Sequence, residues 1–191
     1  MRDAKLMLLI LAVAIPIHAQ SLPRFVDTQG VWTLLARRAA VLDARTPAAY
    51  RKGHLAGARN VAWDSFSDPS GPLAKGKLNP DTAVLGRLLG ALGVHRDRPV
   101  VVYGDPLGGW GEEGRIAWML EYLGHADVHV LDGGVNAWTA AGGTLSQDVP
   151  HADTGTFDAH PNPGNSVVVE DVQKAMAVPG AVILDTRTSE E

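Results

Sequence analysis

The sequence predicts an α/β domain with a parallel central sheet and helices on both faces. Three observations carry this. Short β-branched and aliphatic runs alternate with helical segments from Phe25 to Ala141, and no tight hairpin signal joins two of the runs. The run from Pro99 to Tyr103 is apolar almost throughout, as expected of a strand with both faces covered.

In order, Phe25-Val26 begins the first strand, and Thr28 to Arg38 follows as a helix with Val31, Leu34 and Leu35 on one face. Val41-Leu42 is a buried strand. Thr46-Pro47 then opens a short helix through Lys52, with threonine as N-cap and proline in the first helical position, and Gly53 ends it. Asn60 to Trp63 reads as a strand, and Asp68 to Lys77, rich in Pro, Gly and Ser, as a loop. After Asn79-Pro80-Asp81 a helix turns Val84, Leu85, Leu88 and Leu89 inward, and Gly90 or Gly93 closes it. Beyond the central strand, Ile116 to Leu123 is a helix, Val128 to Leu131 a strand, and Val135 to Ala141 a last helix before Gly142-Gly143.

Residues 144–165 carry three prolines and no periodic apolar pattern, which predicts a linker. After it the order strand, helix, strand returns in Val167 to Val169, Glu170 to Met176 and Val182 to Leu184. The V-L-D-x-R-T of residues 41–46 returns as I-L-D-x-R-T at 183–188, so Asp185 stands 142 positions after Asp43. The expected organisation is a leader at 1–19, a domain at 20–143, a linker at 144–165, and a second copy at 166–191 that is cut short as it begins.

The leader reads as a secretory signal, with an N-terminal membrane anchor as the second reading. Arg2 and Lys5 precede the apolar run Leu6 to Ile17, and Ala19 supplies a small residue before Gln20. A run of twelve residues falls short of the roughly 20 that span a bilayer. Export to the periplasm is therefore expected, with no membrane contact after cleavage. Seventeen basic against 21 acidic residues leave a net charge of −4 with no basic stripe, so nucleic acid is not an expected partner. Cysteine is absent from the chain, which removes disulfides, thiolate metal ligands and any thiol nucleophile.

"VLDARTPAAYRKGHLAGARNVAW" (41–63) resembles the first signature of rhodanese domains, an L-D-x-R strand end followed by a helix and a G-H-x-x-G-A-x-N turn. "GRIAWMLEYLGHADVHVLDGGVNAW" (114–138) resembles the second, ending in L-D-G-G-x-x-x-W. The resemblance implies the three-layer rhodanese-like fold. It also implies the tandem architecture of thiosulfate and 3-mercaptopyruvate sulfurtransferases, which move sulfane sulfur to cyanide or a thiol through a cysteine persulfide in the second domain. Asp43, Arg45, Gly53, His54, Gly57, Arg115, Asp132, Gly133, Gly134 and Trp138 match the first domain's motif, and Asp185 and Arg187 that of the second.

The family's cysteine directly follows the central strand, where this chain has Gly104 and then Asp105. An extended, cysteine-free loop is typical of the non-catalytic first domain, so the expectation is an N-terminal domain inactive alone. Its partners would be a missing second domain and, in the full-length protein, a small sulfur-containing substrate. No cofactor or metal is expected. The alternative is a complete, non-catalytic binding module.

Individual residues bear simpler readings. Asp43 accepts hydrogen bonds around the next turn and pairs with Arg45, and His54 makes a structural hydrogen bond. Asp132 caps the helix that presents Trp138 to the core. His125 and His129 have the i, i+4 spacing of a metal pair but lack a third ligand. Glu112 and Glu113 oppose anion binding beside Arg115, and Trp110 stands on the extended loop as an interface anchor.

Overall fold

The computed structural model describes residues 24–185 apart from Lys75 and Ala152. The leader at 1–19 and Arg187 lie outside the described residues. Five strands, β1 (Phe25–Val26), β2 (Ala40–Asp43), β3 (Arg59–Asn60), β4 (Val100–Tyr103) and β5 (Val128–Leu131), form one parallel sheet in the order β1-β5-β4-β2-β3. Strand alternation sorts the core into two halves. Leu42, Val100, Val102, Val128 and Val130 face α3 (Thr82–Ala91) and α4 (Glu112–Tyr122). Val41, Val101, Tyr103 and Leu131 face α1 (Thr28–Ala36) and α5 (Gly134–Ala140). This is the expected three-layer arrangement, with β4 at its centre.

The helix starts follow local chemistry. Asp27 accepts from the Gly30 amide, Asp81 from Ala83 and Val84, and Thr46 from Ala49, which starts α2 (Pro47–Lys52). Each side chain satisfies an amide that the first turn leaves unpaired. Arg38 ends α1 in the left-handed region at φ 61°, with Ala39 N–H returning to the Leu34 carbonyl and Arg38 N–H to that of Leu35. The position is one that glycine usually holds.

Several features depart from expectation. The strand expected at 60–63 stops at Asn60, and Trp63–Phe66 is a 3-10 turn. The Asn60 side chain donates to the carbonyls of Asp43 and Arg45, and Val61 N–H also takes the Asp43 carbonyl, so β2 offers no acceptors for a longer ladder. Helix α4 begins at Glu112 rather than Ile116. Acidic residues in its first turn suit the positive end of the helix dipole. Asp132 does not cap α5; the N-cap is Gly133, and Asp132 is exposed. Left-handed glycines at 133 and 134 (φ 70° and 54°) turn the Val135 amide onto the Gly104 carbonyl instead.

The fourth departure is the segment 144–165, which lies against the domain as a strap. Leu145 packs on Gly53, and Ser146 exchanges backbone hydrogen bonds with His54. Gly155 N–H bonds to the Gly90 carbonyl, Phe157 and Ala159 enter the core, and His160 and Asn162 donate to the carbonyls of Leu123 and Tyr122 at the end of α4. Beyond the strap, α6 (Val169–Met176) forms, but Val167-Val168 and Val182 to Leu184 are exposed and belong to no strand. A strand needs ladder partners, and none stands beside them among the described residues. No helix among the described residues is long and apolar enough to cross a membrane.

His125 and His129 serve separate structural bonds. His125 faces the His95 carbonyl through Nε2 and accepts the Asp127 amide at Nδ1, while His129 Nε2 bonds to the Asp127 carboxylate. This tautomer leaves no room for a proton at Nδ1, and burial pushes the His125 pKa below its ordinary value. The unfolded chain therefore takes up a proton first as pH falls through about 6.5, and the folded form loses stability. Stability is expected to fall between pH 7 and pH 5 by up to about 1.4 kcal/mol per unit from this group. Thermal melts of the parent and His125→Gln across that range check it, the variant showing the shallower decline.

Candidate functional site at the strand ends

Open parallel sheets bind ligands beyond the carboxyl ends of their strands, which here are Asp43-Ala44-Arg45 at the end of β2 and Tyr103-Gly104-Asp105 at the end of β4. Asp43 is fully buried and Arg45 nearly so, with side-chain exposures of 0% and 10%. One Asp43 oxygen accepts from the Arg45 amide at 2.9 Å and Nε at 3.0 Å; the other accepts from Arg45 Nη2 at 2.6 Å and the Tyr103 hydroxyl at 2.7 Å. Arg45 continues to the Gly53 carbonyl, and the Tyr103 oxygen accepts the Leu55 amide. Burial first, then the Asp43 charge, pushes the Tyr103 hydroxyl far above its ordinary pKa. Burial alone would lower the Arg45 guanidinium; its hydrogen bonds and charge contact with Asp43 override that and hold it above its usual value. Asp43 thus has four donors on two oxygens.

The loop after β4 curls onto its own carboxylates. Asp105 Oδ1 accepts from the amides of Leu107 and Gly108 and from Asn136 Nδ2 at 2.9 Å. The Asn136 bond foremost, with the Leu107 amide second, holds the Asp105 carboxyl below the usual range. Gly109 N–H bonds to the Asp105 carbonyl, and Trp110 N–H to Glu112 Oε2. Loop amides that could converge on a bound anion are thereby spent within the chain. The cavity left between Arg45, Thr46, Asp105 and Glu112 holds about 60 Å³, roughly two water volumes at ~30 Å³ each.

Over Gly104 itself lies the Glu113 side chain. A Cβ at Gly104 would stand 2.7 Å from Glu113 Cδ, closer than van der Waals contact allows. Glu113 Oε2 is buried and without a hydrogen-bond partner among the described residues. Gly134 packs so tightly on the Gly104 carbonyl that only glycine fits there. Where a nucleophile would rise from the strand end, the chain has placed a glycine and covered it with a carboxylate.

The remaining motif residues build walls. His54 stacks on Tyr50 at 3.9 Å and aims its two ring nitrogens at the carbonyls of Tyr50 and Asp148. Gly57 holds φ 79° in the turn before β3. Arg115 points away from Gly104, bonding to the Gly76 carbonyl and stacking on Trp118 at 4.5 Å. Trp138 is buried, with Nε1 donating to the Thr144 carbonyl. Asp185 is exposed. Trp110 is 64% exposed and meets Trp63 edge-on at 5.8 Å. The sequence did not single out Tyr103 or Asn136, and it marked Glu113 only as an acidic neighbour. Tyr103 reads as one more apolar strand residue, and an extended loop hides which acid folds back.

Comparison with known proteins agrees with this geometry. Residues 28–141 match the family model for the rhodanese-like domain. A thiosulfate sulfurtransferase of Pseudomonas aeruginosa is 33% identical over 156 residues, covering 79% of this chain and 54% of the relative. A probable 3-mercaptopyruvate sulfurtransferase of the same organism is 34% identical over 143 residues, covering 72% and 49%. Among solved structures, a 3-mercaptopyruvate sulfotransferase of Escherichia coli superposes with a TM-score of 0.68 at 26% identity, over 81% of this chain and 62% of that one. The chain spans about half the length of the curated relatives it matches.

Proposed function

The chain belongs to the rhodanese-like domain family, and from that premise we propose that it is the non-catalytic N-terminal domain of an exported tandem sulfurtransferase. The parent would move sulfane sulfur from thiosulfate or 3-mercaptopyruvate to cyanide or a thiol. Its cysteine thiolate, in the second domain, would attack the donor's outer sulfur, release sulfite or pyruvate, and hand the sulfur on from a persulfide. The observation that carries the reading is the strand end at Gly104. The nucleophile position has no side chain, Glu113 covers it, and Asp105 and Glu112 take the loop amides that would otherwise hold an anionic sulfur.

The second-domain motif at 183–188 and the greater length of the relatives, of which the matched part is about half, support the tandem arrangement, and the basic, apolar leader supports export. In such a protein this domain would supply fold and an interdomain wall, with Trp110 on its outer loop. The same exposed tryptophan favours the second reading, a stand-alone binding module.

Purified chain incubated with thiosulfate and cyanide is expected to release thiocyanate at the no-enzyme rate. Release above that rate would overturn the assignment of this domain as non-catalytic. The two readings separate on the mass of the protein in its native cells: about one and a half times 20.2 kDa for the tandem enzyme, since 156 aligned residues make up 54% of the first relative, and near or just under 20.2 kDa for the module.

A further inference from the structure

We propose that a second cavity, at the opposite end of the sheet from Gly104, binds a small doubly charged oxyanion, either free or as the phosphate group of a small metabolite. The cavity opens where β2 and β4 begin, holds about 300 Å³, and is lined by Arg38, Arg59, Arg98, Gly93, His151 and Asp153, among others. Three arginines and one aspartate thus line it in a chain whose net charge is −4. Like charges sharing a partly enclosed space repel one another, and a bound dianion offsets that repulsion.

The donors are in place and largely unspent. Each guanidinium carries five N–H donors. Arg59 uses one on the Ala91 carbonyl at 2.8 Å and one on the His151 carbonyl at 2.6 Å, which fixes its plane and leaves its other donors available. Gly93, at φ 78°, admits this guanidinium: a Cβ there would lie 3.1 Å from Arg59 Nη1. Arg98 holds Asp153 through one long bond of 3.3 Å, and that carboxylate is 68% exposed. Arg38 has no side-chain hydrogen bond among the described residues, and the chain keeps an arginine there at φ 61°, where glycine would be the easier residue. A planar fork of donors suits a tetrahedral oxyanion better than a point charge does.

The volume amounts to about ten water volumes at ~30 Å³ each, room for an oxyanion with an organic body attached. Calorimetric titration of the full chain with inorganic phosphate and, separately, with ribose 5-phosphate at low ionic strength distinguishes the two sources. Saturable binding of phosphate supports the free ion, and binding of ribose 5-phosphate alone supports the carried group. In either case Arg38→Gly and Arg98→Gln are each expected to weaken binding about tenfold, the loss of one charge-assisted hydrogen bond. Arg51→Gln, an exposed arginine on α2 outside the cavity, should stay within about twofold. Arg38→Gly suits the local backbone, so its loss of binding cannot be laid to misfolding if its melting temperature is no lower than the parent's. No saturable heat from either ligand, or undiminished affinity in both cavity variants, would overturn the proposal. Because the cavity and the Gly104 loop share no residue, either result leaves the sulfurtransferase assignment to its own test.

Discussion

Asp43→Ala is expected to destabilise the domain by about 3–5 kcal/mol, the cost of stranding one member of a buried ion pair. The carboxylate has no solvent exposure and collects four donors from Arg45 and Tyr103. Removing it leaves the largely buried Arg45 guanidinium without its counter-charge, still held at one end by the Gly53 carbonyl. It also leaves the Tyr103 hydroxyl without its acceptor at the end of the central strand. In a chain of this size the melting temperature should drop by on the order of 10 °C. The double variant Asp43→Leu/Arg45→Met should recover part of the loss, because removing both charges removes the uncompensated one. Denaturant unfolding of the three proteins measures this, and a double variant less stable than Asp43→Ala would count against the ion-pair account.

Phe157→Ala is expected to cost about 3–5 kcal/mol, as truncation of a buried aromatic does. Phe157 is 5% exposed and stacks on His125 at 5.7 Å, within the core half formed by α3 and α4. The strap approaches α3 so closely that a Cβ at Gly86 would meet the Phe157 carbonyl at 2.6 Å, and one at Gly90 the Gly155 carbonyl at 2.7 Å. Gly86→Val should therefore destabilise through the same contact from the other side, and the two costs should not add. If both variants unfold at the parent's denaturant midpoint, residues 154–160 contribute nothing to the domain.

Together these residues show what a sequence displays and what it conceals. The layers were legible because apolar periodicity is a local property: Val31 and Leu34, Leu85 and Leu89, and the run at 100–103 each declare a face without reference to distant residues. The Asp43–Arg45 pair was legible because its partners lie two positions apart. Phe157 was not, since one aromatic between prolines carries no period, and its burial depends on glycines some seventy residues earlier. The end of β3 was hidden for a similar reason, because the Asn60 side chain competes for carbonyls on another strand. Glu113 over Gly104 was hidden too, for nothing in a charge count says which acid turns inward. The repeat at 183–188 was plain as a pattern, yet a pattern does not supply the neighbours that make Val182 to Leu184 a strand.

The strap has a mechanical consequence. Along 160–165 it runs antiparallel to α4, bonding in turn to the carbonyls of Leu123 and Tyr122 and then, through its own Asn165 carbonyl, to the Trp118 indole N–H. A pull on the chain beyond residue 165 would load these contacts one after another, starting at Trp118, rather than all at once. The sheet, whose strands are bonded side by side, would be shielded until the strap had peeled away. Tension entering from that side would open the domain like a zip fastener, and its first yield would uncover the Phe157 socket while β4 and its neighbours stayed paired.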